Sequence, residues 1–153
     1  MGVIFSVKSN MFEVTGESVL TLYGANVTGT PLSTLLVVSE TPVGETALEA
    51  LEKSAASLDF GSAPVAFLVA ESPDGKLGAE DVRTIVEGLD PVALVATDAF
   101  AAELLSAAYR APLTLDAPNR LLGRTALIFE DFEALMETPE TKQKAWALLK
   151  QLR

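Results

Sequence analysis

Acidic side chains follow each of four short apolar runs in this 153-residue chain. The runs occupy 35–38, 65–69, 92–95 and 126–129, and the acids after them are Glu40, Glu71, Asp98, Glu130 and Asp131. If the runs are parallel strands, these side chains meet at the carboxyl edge of one sheet, where such folds bind ligands. Carboxylates, water and phosphate are the usual ligands of Mg²⁺. One hypothesis is therefore a divergent, Mg²⁺-dependent enzyme with its site at this edge.

Phosphoryl transfer at such a site would also need a nearby cation. Arg124 is the only Lys or Arg that stands close in sequence to one of the predicted strands. We therefore consider Arg124 as the cation of that hypothetical site.

Helix capping explains the same carboxylates without any ligand. Asp98, Glu130 and Asp131 precede helical patterns, where a carboxylate stabilises exposed N–H groups and the positive end of the helix dipole. On this interpretation the edge is structural, and we predict no catalytic residue, no metal and no cofactor.

The composition removes the most common catalytic groups. The chain contains no Cys and no His, which excludes thiolate sites, cysteine nucleophiles and the most common general base near neutral pH. Ser39, Ser72 and Thr97 also stand at strand ends, but they lack a His that could activate them and a Gly-x-Ser-x-Gly elbow. No glycine-rich phosphate loop follows a strand. We therefore predict that the chain is not an enzyme.

Helical patterns separate the apolar runs. Apolar residues recur at spacings of three and four over 46–58, 79–89, 99–109 and 138–152. Alternating helices and continuously apolar strands are typical of a parallel sheet covered on both faces. We expect a single α/β domain over 1–153, a three-layer α/β/α sandwich with a mainly parallel central sheet. Helix starts are predicted at Thr41-Pro42, at Gly78 and at Thr138-Pro139.

The first 30 residues have a different composition, rich in Gly, Thr, Ser and Val. Loose alternation over 17–27 predicts one or two antiparallel or edge strands. The apolar residues Phe5, Met11 and Phe12 could instead form a segment that docks on a partner.

The charge distribution is uneven. The chain carries a net charge of -10, which opposes direct nucleic-acid binding. Residues 139–153 contain four cations and one carboxylate, so Lys142 and Lys144 are candidate contacts with a protein partner. The alternative is a solvated helix face with cations near its C-terminus. In the same helix we expect Trp146 to anchor the core.

Neither a membrane span nor a signal peptide is evident. No apolar run approaches the roughly 20 residues that cross a bilayer, and the start lacks a basic region followed by a sustained apolar one. We expect a cytoplasmic protein without membrane contact, and the sequence leaves its oligomeric state open.

The final segment resembles the end of uracil-DNA glycosylase domains, where a His-Pro pair leads into Leu-Leu, then Pro-Glu-x-Lys, Trp and Leu-Lys. It reads Leu135-Met136-Glu137-Thr138-Pro139-Glu140-Thr141-Lys142, then Ala145-Trp146 and Leu149-Lys150. Residues 36–42, Leu-Val-Val-Ser-Glu-Thr-Pro, resemble the family's first strand and its Gly-Glu-x-Pro-Gly turn. Asp131 and Phe132 stand where the family has His-Pro, and Ser39 and Val43 replace the two glycines. The resemblance implies a uracil-DNA glycosylase-like fold without uracil excision.

The chain is also similar to the psi subunits of the bacterial DNA polymerase III clamp loader, a group with this fold and no catalytic residues. The shared features are a strand that ends near Asp98 and a final Leu-x-x-x-Pro-x-x-Lys-x-x-x-Trp helix. This resemblance implies a small adaptor in DNA replication or repair. Its N-terminal segment would reach the clamp loader, and its globular body would hold a second subunit.

Overall fold

The computed structural model describes residues 11–58, 60 and 65–152, and for 11–14 it describes the backbone alone. The helices are α1 Met11–Leu22, α2 Glu45–Ser57, α3 Ala79–Leu89, α4 Ala99–Tyr109, α5 Phe132–Leu135 and α6 Pro139–Leu149, followed by a 3-10 turn at Lys150–Leu152. The strands are β1 Val27–Thr28, β2 Leu35–Ser39, β3 Val65–Val69, β4 Glu71–Ser72, β5 Gly75–Lys76, β6 Ala93–Ala96, β7 Ala117–Leu121 and β8 Arg124–Ile128. All four apolar runs that predicted buried strands contribute to strands of the sheet.

Six strands form one mixed sheet in the order β1-β3-β2-β6-β8-β7. The four inner strands are parallel, and β1 and β7 run antiparallel at the two edges. Val37 pairs with Phe67 on one side and with Val95 on the other. The prediction of a mainly parallel central sheet is confirmed.

The sheet is covered on both faces, because successive residues of a strand point in opposite directions. Leu36 and Val38 of β2 pack in one apolar cluster with α1, α3 and α4. Leu35 and Val37 pack in the other cluster, with α2, α5 and α6. The two clusters give the three layers.

The connections reverse direction between β2 and β6. Helix α2 links β2 to β3 on one face, whereas α3 links β3 to β6 across the other face. In doubly wound sheets the crevice for a ligand opens at such a reversal, beyond the carboxyl ends of the two strands. Ser39-Glu40 and Thr97-Asp98 therefore flank the position where this fold class would place a ligand.

Two of the predicted helix starts are confirmed. Thr138 accepts a hydrogen bond from the N–H of Thr141, with Pro139 in the first turn of α6, and Gly78 is the N-cap of α3. The start predicted at Thr41-Pro42 is wrong, because α2 begins at Glu45 after Gly44. The N–H of Gly44 donates to the distant Glu133 carboxylate at 3.2 Å, so the cap comes from another element.

Most of the alternation predicted over 17–27 belongs to a helix. Helix α1 packs on α3, where Gly88 allows the buried Val19 to come close, since a Cβ at that glycine would meet the Val19 side chain. Only β1 forms an antiparallel edge strand in this region. The prediction is therefore confirmed for β1 and wrong for the residues of α1, because residues four apart, such as Val19 and Tyr23, satisfy both periods over a short stretch.

None of the helices in the described ranges is long and apolar enough to cross a membrane.

Candidate functional site

The structure brings the predicted strand-end acids to one edge of the sheet. Glu71, Glu40, Asp98 and Asp131 follow the neighbouring strands β3, β2, β6 and β8 in that order. Asp98 and Asp131 are joined by an isolated backbone bridge. These four residues thus stand at the carboxyl ends of neighbouring strands.

Asp98 is the N-cap of α4, and its side chain also links the end of β6 to the end of β2. Its Oδ1 accepts from the N–H of Ala101 at 2.7 Å, and its Oδ2 accepts from the N–H of Glu40 at 2.9 Å. The Thr97 hydroxyl lies 3.4 Å from the same Oδ2. Both carboxylate oxygens are therefore bonded to the protein itself.

The remaining acids of this edge also have structural partners or point outward. Asp131 caps α5 by accepting from the N–H of Ala134 at 3.1 Å, as the capping interpretation predicted. Glu130 is exposed and is not a helix cap. The exposed Glu71 belongs to the β4–β5 hairpin, and its N–H donates to the Glu40 carbonyl at 3.0 Å.

Lys76 is the cation at this edge, and the sequence did not indicate it. Its ammonium lies 2.6 Å from the Glu40 carboxylate and 4.6 Å from the centre of the Phe100 ring. The hydrogen bond with Glu40 raises the pKa of Lys76. The β4–β5 hairpin brings this lysine to the sheet edge, so only the tertiary fold reveals the contact.

Arg124 is not part of the carboxyl edge, and its consideration as the cation of such a site is wrong. It stands at the amino end of β8, where its buried guanidinium pairs with Glu87 at 2.8 Å and Asp90 at 2.7 Å and donates to the Pro91 carbonyl. These contacts join β8 to the end of α3, so the role of Arg124 is structural.

In the part of the chain that the structure describes, no group of three or more acidic side chains is placed to hold a metal ion. Ser39 at the end of β2 is 2% exposed, and its hydroxyl makes no hydrogen bond with any described residue. The described carboxyl edge thus consists of two helix caps, Asp98 and Asp131, the Lys76–Glu40 ion pair and the buried hydroxyl of Ser39.

A groove lies on the face of the sheet opposite α3 and α4. It runs between α2 on one side and α5 and α6 on the other. It consists of three adjoining cavities of about 240, 270 and 270 Å³. The central cavity is lined by Thr46, Glu49, Ala50, Lys53, Ser54, Phe132, Met136, Lys142, Ala145, Trp146 and Leu149. We call this surface the α2–α6 groove.

Of the residues predicted to contact a partner, one lines this groove. Lys142 lines it, whereas Lys144 is exposed and lies outside the lining. Phe5 lies outside the described residues, as do the side chains of Met11 and Phe12.

Trp146 is half-buried and lines two of the three cavities. It packs against the apolar cluster beneath it, as expected of a core residue, but part of its ring lies at the surface. The ammonium of Lys150 lies 5.7 Å from the ring centre, within the range of a cation–π contact. The helical pattern could not separate these two roles, because a core stripe and a groove wall have the same spacing.

The chain matches no family model, and no curated protein matches it.

Proposed function

We propose that this chain is a non-catalytic protein-interaction module of the uracil-DNA glycosylase-like fold, acting as a cytoplasmic adaptor in DNA replication or repair. The observation that carries the proposal is that Asp98, beside the crevice between β2 and β6, has both carboxylate oxygens bonded to backbone N–H groups, those of Glu40 and Ala101. A cation that took Asp98 as a ligand would compete with these two N–H groups for the carboxylate oxygens.

The N-terminus of α2 supports the same conclusion. A helix N-terminus next to a crevice commonly binds an anionic ligand. Here the Glu133 carboxylate accepts from the N–H of Gly44 and so occupies the place of such an anion. The protein thus fills both positions with its own groups.

The places of the resembling segments in the fold support the proposal. Residues 36–42 run along β2 into the crevice, and Asp131, which stands in place of the family's His, is the cap of α5. The terminal pattern covers α5 and α6, which form one wall of the α2–α6 groove. The segments that form a catalytic site in the family therefore have capping and groove-forming roles in this proposal.

The test is affinity purification of the tagged full chain from its native cell extract at moderate salt. We expect specific retention of replication or repair proteins, such as a clamp-loader or single-strand-binding component. The control is the same chain after heat denaturation. Recovery of no specific protein overturns the proposal.

A calorimetric titration with Mg²⁺ separates the proposal from the enzyme hypothesis. An adaptor with its carboxylates bonded internally gives no binding heat and no thermal shift. Saturable binding that Asp98→Asn abolishes would instead favour the Mg²⁺-dependent enzyme.

A further inference from the structure

Positive charge in the α2–α6 groove is concentrated at its centre and toward Trp146, where the two lysines of the lining accompany one carboxylate, Glu49. Lys53 and Lys142 line its central cavity, and Lys150 stands over the Trp146 ring, in a protein of net charge -10. Lys53 is 3.6 Å from Glu49, an exposed pair that contributes little. Among the described side chains, none forms an ion pair with Lys142 or Lys150. The part of the groove near Trp146 therefore combines an apolar floor with Lys142 in its lining and Lys150 beside it, and neither forms an ion pair with a described residue.

We propose that the α2–α6 groove binds an acidic segment of a partner protein, with one large apolar side chain of that segment seated beside Trp146. This inference depends on the interaction-module function proposed above and defines the chemistry of the partner.

The floor of the groove favours an apolar anchor. Phe132, Ala145 and Leu149 are buried beneath it, and the half-buried Trp146 and Met136 form its sides. Tryptophan is the residue type most enriched in binding hot spots, and methionine adapts its shape to different partners. The apolar surface would give affinity, and the lysines would select acidic sequences.

The length of the groove fits a short peptide. Its lining along α2 runs from Gly44 to Ser57, which is about 20 Å at 1.5 Å per residue. An amphipathic helix of about 12 residues has a similar length, and docking of a helix in a groove between helices is a common mode of recognition.

The two ends of the groove differ in charge, which sets the direction of the bound segment. The end near the start of α2 is lined by Glu45, Glu133 and Glu137. The other end contains Lys53 and Trp146. The acidic residues of the partner therefore lie near Trp146, and neutral or basic residues lie near Glu137.

A protein segment fits these charges better than a nucleic acid does. The phosphate backbone is anionic along its whole length and would meet the three glutamates at one end of the groove. Lys150 also stands over the Trp146 ring, where a base would stack.

A selection from a display library of random 12-residue peptides tests this directly on the full chain. We expect the enriched peptides to carry several Asp or Glu residues and one aromatic or large aliphatic residue. The selection is repeated on Lys142→Glu, which should enrich no such peptide. Lys144→Glu is the matched control, because it makes the same charge change on the same helix outside the groove.

Binding of a selected peptide is then followed by the fluorescence of Trp146, the only tryptophan of the chain. We expect the affinity to fall about tenfold or more in Lys142→Glu and to change less than about twofold in Lys144→Glu. It should also weaken as ionic strength rises, because the lysines are exposed. Circular dichroism checks that both variants fold.

Any of these peptide-binding results would overturn the inference: no enriched peptide, enriched peptides without acids, equal loss in both variants, or tighter binding of an oligothymidylate that depends on Lys142. Concentration-dependent self-association lost only in Lys142→Glu would assign the groove to a second copy and also overturn it. If acidic peptides bind but the native extract yields no specific partner, the adaptor function fails and the groove inference stands. If the extract yields partners that Lys142→Glu retains fully, the adaptor function stands and the groove inference fails.

Discussion

The carboxylate of Asp98 accepts a hydrogen bond from the backbone N–H of Glu40 at 2.9 Å and so joins the ends of the parallel strands β2 and β6. Successive strands are added to the sheet on one side of this point and then on the other. The same side chain caps α4. One residue thus links the start of α4 to the end of β2.

Replacing Asp98 with Ala should lower the free energy of unfolding by about 2 kcal/mol, since it removes a helix cap and leaves the Glu40 N–H without its acceptor. Asp98→Asn, which keeps one acceptor oxygen, should lose about half as much. Urea denaturation measures both, with the exposed Glu130→Ala as control. Equal stability of Asp98→Ala and Glu130→Ala would contradict the assigned role.

Replacing Arg124 with Met should lower the free energy of unfolding by about 2 kcal/mol. The substitution removes a buried guanidinium with three partners, but Glu87 and Asp90 remain partly in water, which limits the cost. The control is Arg120→Met, an exposed position where we expect a loss below about 1 kcal/mol. Thermal or urea unfolding without a difference between the two variants would rule out the structural role of Arg124.

Tyr109 should ionise only well above its ordinary pKa of 10.0. Burial, followed by the 2.6 Å hydrogen bond to Glu87, raises the pKa of this phenol in the folded state. Because the folded pKa is raised, the stabilisation is fully present below pH 10 and is lost as pH rises toward the folded pKa.

Absorbance at 295 nm in Tyr23→Phe, which leaves Tyr109 as the only tyrosine, measures this ionisation. Tyr23→Phe is needed because burial and the hydrogen bond to Asp81 raise the pKa of Tyr23 as well. We expect a midpoint above pH 10, moved toward 10 by a further Glu87→Gln change. A midpoint near 10 in the folded protein would be incompatible with the buried hydrogen bond.

Replacing Leu122 with Asn should stabilise the protein by about 0.5–1 kcal/mol. Leu122 and Gly123 form the two-residue turn between β7 and β8, with φ of 48° and 85°. Leucine tolerates positive φ poorly, whereas Asn-Gly is the preferred pair for this turn. The side chain is 64% exposed, so little packing is lost.

The control for this turn is Leu32→Asn, since Leu32 is 69% exposed and its φ is not positive. It should leave the free energy of unfolding within about 0.5 kcal/mol of the parent. A destabilised Leu122→Asn would show that the leucine makes contacts that outweigh its backbone strain.

The parts of the fold that depend on local pattern could be predicted from the sequence. The four parallel strands are continuous apolar runs, and Asp98, Asp131 and Thr138 have the position and chemistry of helix caps. The strand β7 was not predicted, because Pro118 and Asn119 are unfavourable in strands, and the pairing with β8 and the hydrogen bonds of Asn119 with Thr114 depend on the fold.

The site residues that depend on distant elements could not be predicted. The contact of Lys76 with Glu40 joins residues 36 positions apart through a hairpin that packs at the sheet edge. The groove is lined by residues of α2 and α6, which lie far apart in the sequence and come together around Phe132. Spacing within one helix contains no information about that distance.

The two edges of the central sheet are poor templates for another strand. On one side β1 is only two residues long, and on the other β7 contains Pro118, a residue type that natural sheets confine to their edges. Strand addition and amyloid-like stacking need a long, regular row of unpaired backbone groups. Among the described strands, neither edge offers one, so the described sheet is a poor platform for strand addition.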